Sequence, residues 1–151
     1  MHAAESPAKQ LAGFIAKYDP AVAKLARSTR SALQKRLPTA NQLVYDNYQF
    51  LAIGFATTER ASDSMVSLAV SPKGVSLCFI YGAMLPDPDR ILLGSGNQTR
   101  SIKLEGAATL KKTEVERLIK AAIAQAKSPL PDKGKGTLII KSISAKQRPR
   151  R

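Results

Sequence analysis

Apolar residues recur along this chain in two rhythms, and the change from one to the other divides it. From Ser6-Pro7, a capping residue followed by a proline suited to a first helical turn, Leu11, Phe14, Ile15 and Tyr18 fall on one helical stripe. Asp19-Pro20 repeats the start signal. Val22, Leu25, Ala26, Leu33 and Leu37 then line one side of a second helix, with Lys24, Arg27, Arg30, Lys35 and Arg36 mostly elsewhere, until Pro38 stops it. After Asn41 the period changes, because the β-branched and aromatic residues of LVYDNYQFLAIGFA suit extended chain, with a bend at Asp46-Asn47. Val66, Leu68 and Val70 alternate with Ser67 and Ala69, and Ser71-Pro72-Lys73-Gly74 is a turn leading into VSLCFIY. That second arm is apolar on both faces and predicts a strand covered on both sides.

Residues 86–100 predict an ordered loop with a short extended piece, and SIKLE a further strand. Thr113 and Glu116 match a capping box at the head of an amphipathic helix carrying Val115, Leu118, Ile119, Ala122, Ile123 and Ala126. Pro129, Pro131, Gly134 and Gly136 mark a linker, TLIIKSI a last edge strand, and SAKQRPRR a tail. The prediction is therefore α+β: an N-terminal helix pair, an antiparallel sheet, one long C-terminal helix and a last edge strand. One domain is expected over 1–143, with its core at about 8–127 and the last strand at 137–143, followed by a basic tail at 144–151. A chain of 151 residues can hold one ordinary core without disulfide or metal staples. Its apolar runs fall short of the roughly 20 residues of a spanning helix, its start lacks a signal-peptide pattern, and its single cysteine implies no oxidising compartment. A soluble cytoplasmic protein without membrane association is expected.

Charge adds a clue that the pattern does not hold. The net charge is +13, and residues 96–151 carry fourteen of the 24 basic residues but four of the 11 acids. Such asymmetry attracts polyanions, and the expected surface is Lys111, Lys112, Arg117 and Lys120 with Lys146, Arg148, Arg150 and Arg151 of the tail. Nucleic acid or an acidic protein is the partner this implies. Aromatics make up 5% of the chain; Tyr45, Tyr48 and Phe50 are the one local cluster, with two of the three expected in the core. Tyr45 and Tyr48 are pocket candidates.

Catalytic signatures are thin. The one histidine is His2, in a terminal segment, so a His-dependent nucleophile is not expected, and Cys78 in the most apolar strand reads as a small core hydrophobe. Zinc would want several His and Cys at short spacing. Pro86-Asp87-Pro88-Asp89 reads as turn chemistry; the alternative is a carboxylate site in which Asp87 and Asp89, joined by Asp63 or Glu59, would take iron, magnesium or calcium. No other cofactor is expected. The segment from Gly94 to Arg100 has the parts of an anion cradle, namely Gly94, Ser95, Gly96 and Arg100 with Lys103 nearby, but it lacks a P-loop lysine. The competing reading is a hairpin or bulge that needs positive φ.

Across LPDPDRILLGSGNQTRSIKL, residues Leu85, Leu92, Leu93, Gly94, Gly96, Arg100 and Ile102 carry a pattern that resembles the YdhG-like domain family of small bacterial proteins. The order of elements extends the resemblance over about 8–127. Tyr45-Asp46-Asn47-Tyr48 stands where the family has an aromatic-Gly-x-Pro segment, and Asn97 where it often has lysine. The resemblance implies a small cytosolic α+β domain, with one branch acting as a frataxin-like iron chaperone. That role needs an acidic helix face, and the first two helices offer only Glu5 and Asp19. Three functions are therefore weighed: a binding or adaptor domain with a basic face for an anionic partner, a frataxin-like iron chaperone, and an enzyme acting on a small anion at Gly94–Arg100.

Overall fold

The computed structural model describes residues 5–151, which leaves His2 outside the described residues. Helix α1 spans Pro7–Ala16 and is capped as its first residues demand, Ser6 Oγ accepting the Lys9 N–H at 3.2 Å. Helix α2 spans Pro20–Arg36. Leu11, Ile15, Tyr18, Ala23, Ala26, Leu33 and Leu37 are buried, while Val22 and Leu25 are half-buried. Thr29 shares the buried stripe because its hydroxyl donates back to the Leu25 carbonyl at 2.7 Å and so is not left bare.

Five strands follow as an antiparallel meander, interrupted by a loop: β1 (Asn41–Asp46), β2 (Leu51–Ala56), β3 (Ser64–Ser71), β4 (Gly74–Phe79) and β5 (Arg100–Leu104). The last strand, β6 (Leu138–Ile143), lies at the edge and runs parallel to β1, giving the order β5-β4-β3-β2-β1-β6. The α+β class stands, with a mixed sheet in place of an antiparallel one. LVYDNYQFLAIGFA is a hairpin whose turn is closed by the Asn47 N–H donating to the Phe50 carbonyl at 3.0 Å. The β3–β4 turn is as predicted, with Gly74 at φ 135°, a value a side chain would resist.

Helix α3 (Thr113–Gln125) buries Val115, Leu118, Ile119 and Ala122. Its predicted capping box does not form. The chain turns helical at Thr113 itself, and Glu116 pairs instead with Arg36, a charged partner worth more than a backbone N–H.

All three helices contribute to a single core on one face of the sheet, with Val44, Ile53, Phe55, Leu68, Leu77 and Ile102 from the strands. Alternation sends the intervening residues to the other face. Tyr45, Ala52, Ala69, Ser76 and Lys103 form one cross-strand row there, and Leu43, Gly54, Ser67, Cys78 and Ser101 the next. Strand β4 is therefore covered on one side, not two: Val75, Leu77 and Phe79 are buried, Ser76 and Cys78 half-buried, and Ile80 falls beyond the strand.

The linker passes so close to β1 that a Cβ on Gly136 would overlap the Ala40 carbonyl, while its N–H donates to Pro38 O at 3.1 Å. Gly136→Ala is expected to destabilise by about 1–3 kcal/mol through forced displacement of β6. Gly96→Ala, whose Cβ meets open space, serves as the control in the same urea titration. Equal midpoints for the two variants would refute the close approach. No helix of the described residues is long and apolar enough to cross a membrane.

Candidate functional site

The anion cradle comes apart on inspection of β5. Arg100 and Lys103 lie on opposite sides of that strand, Arg100 opposite Phe79 and Lys103 opposite Ser76. The Arg100 guanidinium donates to the Gly96 and Thr99 carbonyls of its own loop, so it closes the loop and does not point at a ligand. Leu93 and Ser101 exchange both backbone bonds at 2.8 and 2.9 Å, with Gly94 at φ 125°, so residues 94–100 form a hairpin loop that uses positive φ. Ser95 and Gly96 are exposed at its tip.

Both oxygens of Asp87 accept backbone N–H groups, from Ile91 at 3.1 Å and Leu92 at 2.9 Å, while Asp89 is exposed. Among the described residues, no three His, Cys, Asp or Glu side chains come together. Cys78 faces away from the helical core, and burial among its neighbours pushes its thiol up from the ordinary value.

The basic residues expected to form one surface divide among three places. Lys103 and Lys112 border a shallow groove at the β5 edge that also includes Glu114. Lys111 faces α2, and Lys120 lies one helical turn beyond Glu116, on the α2-facing side of α3. Arg117 is exposed. The tail lies at the opposite edge of the sheet, against β1, where Ser144 N–H donates to the Asp46 carbonyl.

That tail is docked through an acid with no accessible surface. Asp46 ends β1 on the helix side, 0% exposed, and its carboxylate accepts from Lys17 Nζ at 2.7 Å and Arg150 Nη2 at 3.0 Å. The Arg150 guanidinium also donates to the Asn47 and Tyr48 carbonyls and stands 5.8 Å from the Tyr18 ring centre. Gln147 bridges the Asp46 carbonyl and Lys17. Burial alone would raise the carboxyl's pKa, but the hydrogen bonds and charge of Lys17 and Arg150, with Gln147 beside them, outweigh it and hold the group below the usual carboxylate range. Arg150, expected on the polyanion surface, is thus an interior cation at 5% exposure, because its Nη groups find the Asp46 carboxylate and two carbonyls there, while its Nε–H has no partner. Lys146, Arg148 and Arg151 remain exposed.

A further cationic surface lies on α2, which holds five cations and no acid. Arg30 turns inward, Nε donating to Gln42 Oε1 at 2.8 Å, and burial lowers its pKa. Lys24, Arg27 and Lys35 are exposed along the helix and span about 16 Å at a rise of ~1.5 Å per residue. Beside them a cleft of roughly 620 Å³ opens between α2, the 3-10 helix Ala107–Lys111 and α3, with Ser28, Ser31 and Lys35 on one bank and Lys111 on the other. Its apolar walls are Leu33, Leu110 and Ile119. Arg36 and Glu116 neutralise each other there, the two Nε–carboxylate bonds at 2.9 and 3.1 Å. Lys17, Arg36 and Arg150 are the cations found in ion pairs among the described residues, so 21 of the 24 have no carboxylate partner.

No family model, curated protein or solved structure matches the chain. The residues of interest therefore rest on geometry. The α2 stripe had a signal in the sequence, the absence of acids from residues 20–36; Asp46 had almost none, since its partner lies 104 positions away.

Neither tyrosine proposed for a pocket meets Arg100. Tyr45 lies on β1 and Arg100 on β5, four strand spacings apart, or about 19 Å. None of Tyr45, Tyr48 and Phe50 belongs to the core; Tyr48 is 48% exposed and stacks with the Arg148 guanidinium at 5.8 Å.

Proposed function

We propose that this chain is a non-catalytic binding module for nucleic acid, whose phosphates lie along the exposed face of α2 and reach the Lys111 bank of the neighbouring cleft. The observation that carries this reading is the acid-free helix: Lys24, Arg27 and Lys35 lie exposed along one element with no carboxylate to neutralise them. A line of cations about 16 Å long with no acid among them suits a continuous string of phosphates, which carries its negative charge at every residue. The chemistry is positional, without base reading, so binding is expected to tolerate any sequence.

Fluorescence anisotropy with a fluorescein-labelled 12-nucleotide strand and its duplex tests it. Four phosphate contacts predict a slope of log K against log salt near −3 to −4, hence about a hundredfold loss of affinity from 50 to 200 mM salt. Absence of binding at 50 mM, or a flat salt response, would overturn the reading.

A further inference from the structure

The sheet face without helices holds a second basic concavity, far from the α2 stripe. A groove of about 580 Å³ lies at one end of that face, bordered by Gln49 and Phe50 of the β1–β2 turn, Ser71 and Lys73 of the β3–β4 turn, Ser76 of β4, and Arg148 of the docked tail. No acid lines it. Three features make it more than a gap between turns. First, the floor is made of small residues: Ala69 and Ser76 are cross-strand partners on β3 and β4 and both line the groove, beside Phe50. Second, Phe50 is kept out of the core and lines the groove, and the neighbouring Tyr48 ring stands under the Arg148 guanidinium that forms its wall. Third, the wall that supplies Arg148 is held in place by the interior Asp46–Arg150 pair and by the Arg148 N–H donating to the Tyr48 carbonyl at 2.8 Å.

We propose that this groove binds a single-stranded segment of nucleic acid, two or three nucleotides long, with a base against Phe50 and phosphates on Lys73 and Arg148. Aromatic faces beside a sheet floor are a recurrent way of holding unpaired bases, and cations at the rim neutralise the backbone. A duplex has no exposed base faces to offer and is too wide for the groove, so the site selects single strands. The neighbouring acid on the β5 side, Glu105, stands beyond Lys103 and joins no ion pair, so it neutralises neither Lys73 nor Arg148. The inference rests on the nucleic-acid reading above and adds to it a second contact region and a preference for unpaired strands.

The test uses the full chain with fluorescein-labelled oligo(dT) of 12 nucleotides and a 12-base-pair duplex at 50 mM salt. Phe50→Ala is expected to weaken single-strand binding about tenfold, the worth of one lost base–aromatic stack, and to leave duplex binding within twofold. Arg148→Gln and Lys73→Gln, both at exposed positions, give the same pattern at several-fold each and keep the test valid if Phe50→Ala unfolds. If all three variants bind both probes as the parent chain does, the groove proposal fails while the α2 reading stands. Equal weakening for strand and duplex also overturns it. Binding of neither probe by the parent chain overturns both readings at once.

Discussion

Asp46→Ala is expected to cost about 3 kcal/mol or more, among the largest effects of any single substitution in this chain. Removing one partner of a buried ion pair strands the other, and here Arg150 would be left at 5% exposure against two carbonyls and an aromatic ring. Lys17 relaxes more easily, being 39% exposed at its side chain. For a chain of this size the loss corresponds to a fall of roughly 6–12 °C in the thermal midpoint. The double variant Asp46→Ala with Arg150→Met should recover part of it, since it removes the stranded charge together with its partner. A midpoint within 2 °C of the parent for Asp46→Ala would mean that the tail is not docked as described.

The same carboxylate sets an acid limit. Its pKa is lower folded than unfolded, so the unfolded chain binds the proton more readily. The stabilisation is complete above the unfolded value of about 4 and is lost as pH falls through the folded value. Urea midpoints measured between pH 5 and pH 2 should fall less steeply for Asp46→Asn than for the parent; parallel curves would assign the acid limb to other groups.

Replacing Lys24, Arg27 and Lys35 together by alanine is expected to weaken nucleic-acid binding a hundred- to a thousandfold at 50 mM salt. Each phosphate contact contributes about 0.9 to the salt slope on duplex DNA, so the variant's slope should be shallower by about 2.7. These side chains are exposed and unpaired, and alanine is a good helix former, so folding stability should change by less than about 0.5 kcal/mol. Loss of affinity with an unchanged slope would point to damage elsewhere, not to lost phosphate contacts.

Local periodicity made much of this architecture readable. The stripe of Leu11 and Ile15, the alternation of Val66, Leu68 and Val70, and the Ser71–Gly74 turn each record a constraint acting within a few residues, and each appears where the pattern puts it. Contacts that join distant segments left weaker marks. Thr113 and Glu116 satisfied a capping rule in sequence, but Arg36, 80 positions earlier, was the stronger partner for the carboxylate. The apolar reading of VSLCFIY overlooked that the strand ends at Phe79, so that only alternate residues needed cover. A run of basic residues at 144–151 resembles a solvated tail unless a buried acid is known to await it. Composition gave the charge of the last third without its arrangement: thirteen of the 21 cations without a carboxylate partner do lie there, but they divide among separate surfaces. Arg150 is paired, whereas Lys24, Arg27 and Lys35 are not.

The separation between Asp46 and Arg150 also has a meaning in time. A ribosome adding about 5–20 residues per second leaves some 5–20 s between the emergence of the acid and of its second cation, 104 positions later. During that interval β1 has β2 on one side, an open edge on the other, and a carboxylate attended by Lys17 alone. The nascent chain therefore carries an unpaired strand edge through most of its synthesis, and β6 closes that edge only shortly before the arginine arrives.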